Sequence, residues 1–259
     1  VFMAISALVS IGLPIALGII WHKRTGAKAS SLFIGAAAFV VFAMILENIC
    51  HRLVLYGSGS CAAFMQSNLW AYGLYGALAA GVFEETGRLC AFKLLFKKKD
   101  DRCESVMYGI GHGGVEAVMV SGLTMISYIA ISAIINLSGG MAGIGEDMAS
   151  VLMTAFTGTN PFMYLVSVIE RIMAMAFHIS MSVLVFAAVK QKGRGWYYPL
   201  AIGLHALLDL GAIAYQTGII NSIIAVEGYV LVFTALCALL AARVYRGMAE
   251  QRQETNQNY

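Results

Sequence analysis

Apolar residues fall in long unbroken runs along almost the whole chain, with polar residues gathered between them. Seven runs stand out, at about residues 2–20, 30–55, 68–96, 104–135, 161–189, 197–216 and 223–244. Each approaches or exceeds the roughly 20 apolar residues that carry a helix through bilayer hydrocarbon. Membrane β-barrels instead show alternating strands of about ten residues, which these runs exclude. The pattern predicts an all-α, polytopic membrane protein of about seven transmembrane helices. One helical domain covers residues 1–249, and the polar stretch 250–259 is expected to be a disordered tail.

The first run has no basic stretch before it, so it reads as a retained span and not a cleaved signal. The chain starts at Val1, which suggests a trimmed piece or an alternative start. The connection at 136–160 is glycine-rich at Ser138-Gly139-Gly140, Gly143 and Gly145. Its later part, 146–156, is expected to form a short surface helix, and the loop is long enough to act as a lid.

Composition agrees with the pattern. Hydrophobic residues make up 59% and charged residues 12%, with a mean hydropathy of +0.77, whereas soluble domains carry about 25% charged residues. A net charge of +3 gives no reason to expect nucleic acid as a partner. The distribution of charge says more. Of the 17 Lys and Arg residues, 13 lie in the connections after the odd-numbered runs or in the tail, and the even-numbered connections hold none. The positive-inside rule then places the N-terminus outside and the C-terminus in the cytoplasm. Trp70, Tyr72, Tyr75 and Trp196, Tyr197, Tyr198 read as interfacial anchors.

The five cysteines are scattered with no CxxC, which argues against a thiolate metal site. Cys50 and Cys61 fall near one membrane face, where a pairing is open to them. The fourteen methionines read as adaptable core filler.

Against this apolar background the ionisable residues inside the runs are costly, and such groups ordinarily face the bundle interior and mark function. The third run holds Glu84, Glu85 and Arg88, the fourth His112 and Glu116, the fifth His178, and the sixth His205 and Asp209. At a rise of about 1.5 Å per residue, all fall roughly 12–20 Å from the cytoplasmic ends of their helices. Four consecutive helices therefore offer polar groups at one common depth. Helical spacing puts Glu84 and Arg88, His112 and Glu116, and His205 and Asp209 on shared faces.

His112, His178 and His205 could hold a catalytic metal such as zinc with one open position. They could equally orient a water or an oxyanion without metal. Glu84 or Glu85 is the candidate general base, with Arg88 keeping the other ionised, and Glu116 and Asp209 are suited to orienting an imidazole. The run Gly109-Ile110-Gly111-His112-Gly113-Gly114 lets helix backbones approach closely or opens a notch beside the site. Glu47, His51, Arg52, Glu170 and Arg171 lie nearer the outer face. Structural pairs Glu47–Arg171 or Arg52–Glu170 are expected there.

At these residues the chain resembles the CAAX-protease and bacteriocin-processing superfamily of intramembrane proteases. Its nearest branch is the YhfC family of intramembrane metalloproteases, with PrsW-type proteases as relatives. The superfamily pattern is a double glutamate with a following basic residue, an aromatic one turn before a His, and a His four residues before Asn or Asp. Here Glu84-Glu85 with Arg88, Tyr108 with His112, and His205 with Asp209 match it, and the likeness covers about residues 70–216. Two residues separate Arg88 from the glutamate pair where prenyl-protein proteases have three, and Tyr108 stands where Phe is usual there. Both departures argue against cleavage of prenylated proteins. The resemblance implies a catalytic core at about 68–216, the first glutamate as base, and histidines that position water and oxyanion. It also implies a bacterial cytoplasmic membrane location and a membrane-embedded peptide or protein substrate. Such a substrate should carry helix-weakening residues near its scissile bond, since the peptide bond must leave its helix before attack.

Two other classes compete. A proton-coupled transporter also uses carboxylate–histidine chains, but carriers are commonly built from internal repeats, and none is visible here. A non-catalytic scaffold or immunity protein would keep the fold, and the full set Glu84, His112, His178 and His205 counts against it.

Overall fold

A computed structural model describes residues 1–98, 101–137, 145–158 and 160–257. The described residues are helical apart from short connections. In chain order the helices are α1 (Phe2–Thr25), α2 (Ala29–Val54), α3 (Ser60–Ser67), α4 (Leu69–Leu94), α5 (Cys103–Leu137), α6 (Glu146–Met153), α7 (Met163–Lys190), α8 (Tyr197–Gln216) and α9 (Ile223–Gln257). Six of them, α1, α2, α5, α7, α8 and α9, are long and apolar enough to cross a membrane. The protein is an all-α integral membrane protein. Helix α4 has 26 residues and thus the length to span, but Glu84, Glu85, Arg88 and Lys93 take it out of the purely apolar class. Of these, Glu84, Glu85 and Arg88 are buried inside the bundle, and Lys93 is exposed.

Two spans widen locally into π-type turns, α2 at Val40–Glu47 and α5 at Val118–Gly122. Such bulges are common beside functional sites. The first ends on Glu47, and the second begins two residues after Glu116. Large side chains that point outward, such as Leu8, Phe33, Leu53, Leu236 and Leu239, are exposed in the isolated chain. In hydrocarbon such a surface faces lipid at no penalty.

The bundle closes where small residues let backbones meet. A Cβ on Gly111 would run into the backbone carbonyl of Leu32, so α2 and α5 cross at contact distance only because position 111 is glycine. A Cβ on Gly109 would lie 2.6 Å from the Cα of Ile179, which sets α7 equally tight against the other side of α5. The glycine run expected to permit close approach does so, with His112 between the two contacts. Below this crossing Phe92, Phe96, Tyr108, Phe177 and Phe186 make the aromatic core, with Phe92 4.6 Å from Tyr108 and 5.2 Å from Phe186 between ring centroids.

The short helix expected at 146–156 is present as α6, followed by a π-type turn at Thr154–Gly158. The glycine-rich part of that connection, 138–144, lies outside the described residues. The expected disordered tail differs from the structure: α9 continues to Gln257. No Gly or Pro interrupts residues 250–257, and their Glu, Gln and Arg are good helix formers, so the preceding helix propagates through them. Cys50 and Cys61 are both free. The Cys50 sulfur instead receives the Tyr75 hydroxyl at 3.4 Å.

Candidate metal and hydrolytic centre

The buried polar groups of α4, α5, α7 and α8 meet in one cluster. Glu84 turns toward the histidines. Its Oε2 lies 2.8 Å from His112 Nε2 and 3.7 Å from His178 Nδ1, and its Oε1 lies 3.8 Å from His205 Nε2. One carboxylate thus touches or nearly touches a histidine from each of three other helices.

Glu85, one residue on and 100° around the helix, is fully buried and does something else. Its Oε1 accepts from Arg88 Nη1 and stands 2.7 Å from His205 Nδ1. Arg88 is itself fully buried. Its Nε donates to Ser182 Oγ at 3.3 Å, and its Nη2 lies 2.6 Å from His178 Nδ1 and 3.7 Å from Glu84 Oε2. A guanidinium has only donors, so His178 Nδ1 is an acceptor here and the ring proton sits on Nε2. That Nε2 faces Glu116 Oε2, and Glu116 Oε1 in turn accepts from Arg171 Nη1 at 2.9 Å. His205 Nε2 lies 3.6 Å from Asp209 Oδ2 on its own helix. Tyr108 contributes by packing: its ring stacks on His112 at 5.9 Å, while its buried hydroxyl meets no partner among the described residues.

The expected residues therefore converge, with corrections in their pairing. The metal set expected from the sequence is His112, His178 and His205. Among the described residues the ligand atoms of Glu84, His112 and His178 all lie within 4.8 Å of one another. His205 is not part of that group: its Nδ1 meets Glu85, and its Nε2 lies 3.8 Å from Glu84 Oε1. The outer pairs are also different. Glu47 Oε1 meets His51 Nε2 one turn along its own helix at 3.2 Å, and Arg171 turns inward to Glu116. Local helical spacing satisfied Glu47, and Arg171 reaches Glu116 across the α5–α7 contact instead. Ser182 and Arg171 are members of the network that the sequence reading did not place there. Both lie on the His178 face, at i+4 and i−7, which is the signal that would have found them.

A cavity of about 250 Å³ opens beside the cluster, lined by Glu84, Glu116, His178, His205 and Asp209 and walled by α7, α8 and the start of α9. Toward its other end stand Glu170, Gln216 and Glu227.

A family model described as YhfC intramembrane metalloprotease matches residues 6–230. The chain belongs to the YhfC family. It is similar to the uncharacterized membrane protein YhfC of Bacillus subtilis (strain 168), at 39% identity over 242 residues, covering 91% of this chain and 92% of that relative. No solved structure matches the chain. The match spans α1 to the first part of α9 and so includes every residue of the cluster.

The donor set fits the metal that the family description implies. Two imidazoles and a carboxylate from three helices are ligands of the kind found in open zinc sites. His112 Nδ1 is buried and meets no hydrogen-bond partner among the described residues, where Glu84 is the one polar engagement of the ring. At His178 an ion taking Nδ1 would displace the Arg88 hydrogen bond, whereas the Glu116 contact on the opposite nitrogen would orient the ring.

Proposed function

We propose that this protein is an intramembrane endopeptidase that hydrolyses a peptide bond with a water activated at Glu84. The observation that carries the reading is the single carboxylate of Glu84 facing His112, His178 and His205 at the edge of a buried cavity. Structural ion pairs satisfy themselves two by two. Here a carboxylate is gathered with three histidines while the neighbouring Glu85–Arg88 pair supports it from behind.

In this reading His112 holds the Glu84 carboxylate in place. Glu84 Oε1 and His205 Nε2, 3.8 Å apart, leave a gap that one water can bridge. Glu84 takes a proton from that water as its oxygen attacks the carbonyl carbon. His205 lies between the carboxylates Glu85 and Asp209, so each nitrogen has an acceptor at hand and the ring is set to donate to the developing oxyanion. The proton held by Glu84 then passes to the leaving nitrogen, the C–N bond breaks, and a carboxylic acid and an amine result, between which the acid's proton finally passes. Glu85 and Arg88 stay in their pair throughout and keep His178 and His205 aligned.

Glu84, His112 and His178 are the residues that would hold zinc or a similar ion. Bound there, it would supply Lewis-acid polarisation and lower the pKa of its water, and Glu84 would serve as a ligand. The substrate is a peptide or protein segment within the bilayer, unwound near the scissile bond so that its carbonyl reaches the cavity.

Purified wild-type protein and Glu84→Gln, each incubated with a panel of single-span peptides, test the reading. Cleavage should fall in the variant by about 10²–10⁴-fold or more, with thermal stability retained, because a neutral amide is cheaper to bury. Equal cleavage by both, or transport of a solute with no cleavage by either, overturns it.

A further inference from the structure

On the side of α7 opposite His178 and Ser182 lies a second cleft, of about 360 Å³, between α7, α9 and the ends of α1 and α5. Ile179 and Val183 of α7 and Ala238 and Ala242 of α9 make its walls. Its one wall hydroxyl, Ser180, is spent on the Ala176 carbonyl at 2.7 Å, so the slot is apolar in effect.

One end has a different character. There stand Trp21, Tyr245 and Arg246. Trp21 and Tyr245 are in edge contact at 6.5 Å, and Arg102 lies over the Tyr245 ring at 4.3 Å while donating to the Tyr245 carbonyl. Arg246 is exposed and makes no ion pair among the described residues. From Ala238 to Arg246 the slot runs about 12 Å along α9, most of the roughly 15 Å depth of one leaflet.

We infer that this cleft binds an anionic phospholipid, with one acyl chain in the alanine-walled slot and the headgroup phosphate on Arg246. An apolar slot of leaflet depth that ends in an unpaired guanidinium beside an aromatic pair complements that ligand at both ends. Arg102, over the Tyr245 ring, adds positive charge at the same end, which favours a net-negative headgroup over a zwitterionic one. The inference is independent of peptidase activity.

Delipidated protein in detergent is titrated with dioleoyl phosphatidylglycerol or dioleoyl phosphatidylcholine, with bound lipid counted by native mass spectrometry. The wild type should retain the anionic lipid preferentially. Arg246→Gln should reduce that preference about fivefold, the effect of one basic residue near a charged lipid surface. Arg243→Gln, exposed on the same helix but outside the cleft, should change it far less. Ala242→Trp, which fills the slot from its exposed rim, should remove one bound lipid. Equal retention of both lipids by the wild type, an equal loss in Arg243→Gln and Arg246→Gln, or unchanged stoichiometry in Ala242→Trp would each overturn the inference. So would a concentration-dependent dimer that Ala242→Trp dissolves, since a second copy would then be the occupant.

Discussion

Arg88 Nη2 lies 2.6 Å from His178 Nδ1 while Nη1 of the same guanidinium holds Glu85. One planar fork thus joins the carboxylate of α4 to the imidazole of α7. An ammonium has no such geometry. Arg88→Lys should therefore fold and lose most cleavage. Arg88→Ala removes the guanidinium from the buried Glu85 and leaves only His205 beside that carboxylate, and should lower unfolding stability by about 3–5 kcal/mol. Adding Glu85→Gln to Arg88→Ala should restore much of that stability and none of the activity. Thermal unfolding and peptide cleavage, measured in parallel, would expose a purely structural role if activity returned with stability.

The metal question turns on His205. If Glu84, His112 and His178 hold the ion, as proposed, with His205 outside that group, zinc content should separate the histidines. His112→Ala and His178→Ala should each lower bound zinc by about tenfold or more, whereas His205→Ala should keep the zinc and lose turnover. Elemental analysis of the purified variants decides this. Equal zinc loss in all three would restore the three-histidine set, and cleavage unaffected by chelation would remove the metal from the reaction.

Gly111 is a packing prediction. Its Cβ would overlap the Leu32 carbonyl, which belongs to backbone and cannot rotate away. Gly111→Val should force α2 off α5 and cost about 1–3 kcal/mol or more. Gly247→Ala, where nothing lies within 4 Å, is the matched control and should be neutral or better. Thermal unfolding in one detergent compares them directly.

Orientation follows from charge. Single cysteines placed at Lys97 and at Ala149 of an otherwise cysteine-free chain should label from opposite sides of the membrane. Lys97 should be cytoplasmic and Ala149 external, as the distribution of Lys and Arg requires. The reverse pattern would invert the topology.

The sequence by itself determined the class of fold and the membership of the buried polar cluster. Long apolar runs leave a chain no soluble alternative, and the cost of a charge in hydrocarbon singles out Glu84, Glu85, Arg88, His112, His178 and His205 without any coordinates. Depth was legible too, because helical rise is fixed and each span is anchored at its ends. Partner choice was not legible. Depth places a residue along its helix, but rotation about the axis and the helix–helix crossings decide whom it meets. Those depend on contacts between distant segments, such as Gly111 against Leu32 and Gly109 against Ile179. Only the tertiary structure could therefore assign Glu84 to the histidines and Glu85 to Arg88, give His205 to Glu85, and turn Arg171 inward to Glu116. Two adjacent glutamates with the same chemistry acquired different roles because 100° of helix rotation aimed them at different neighbours.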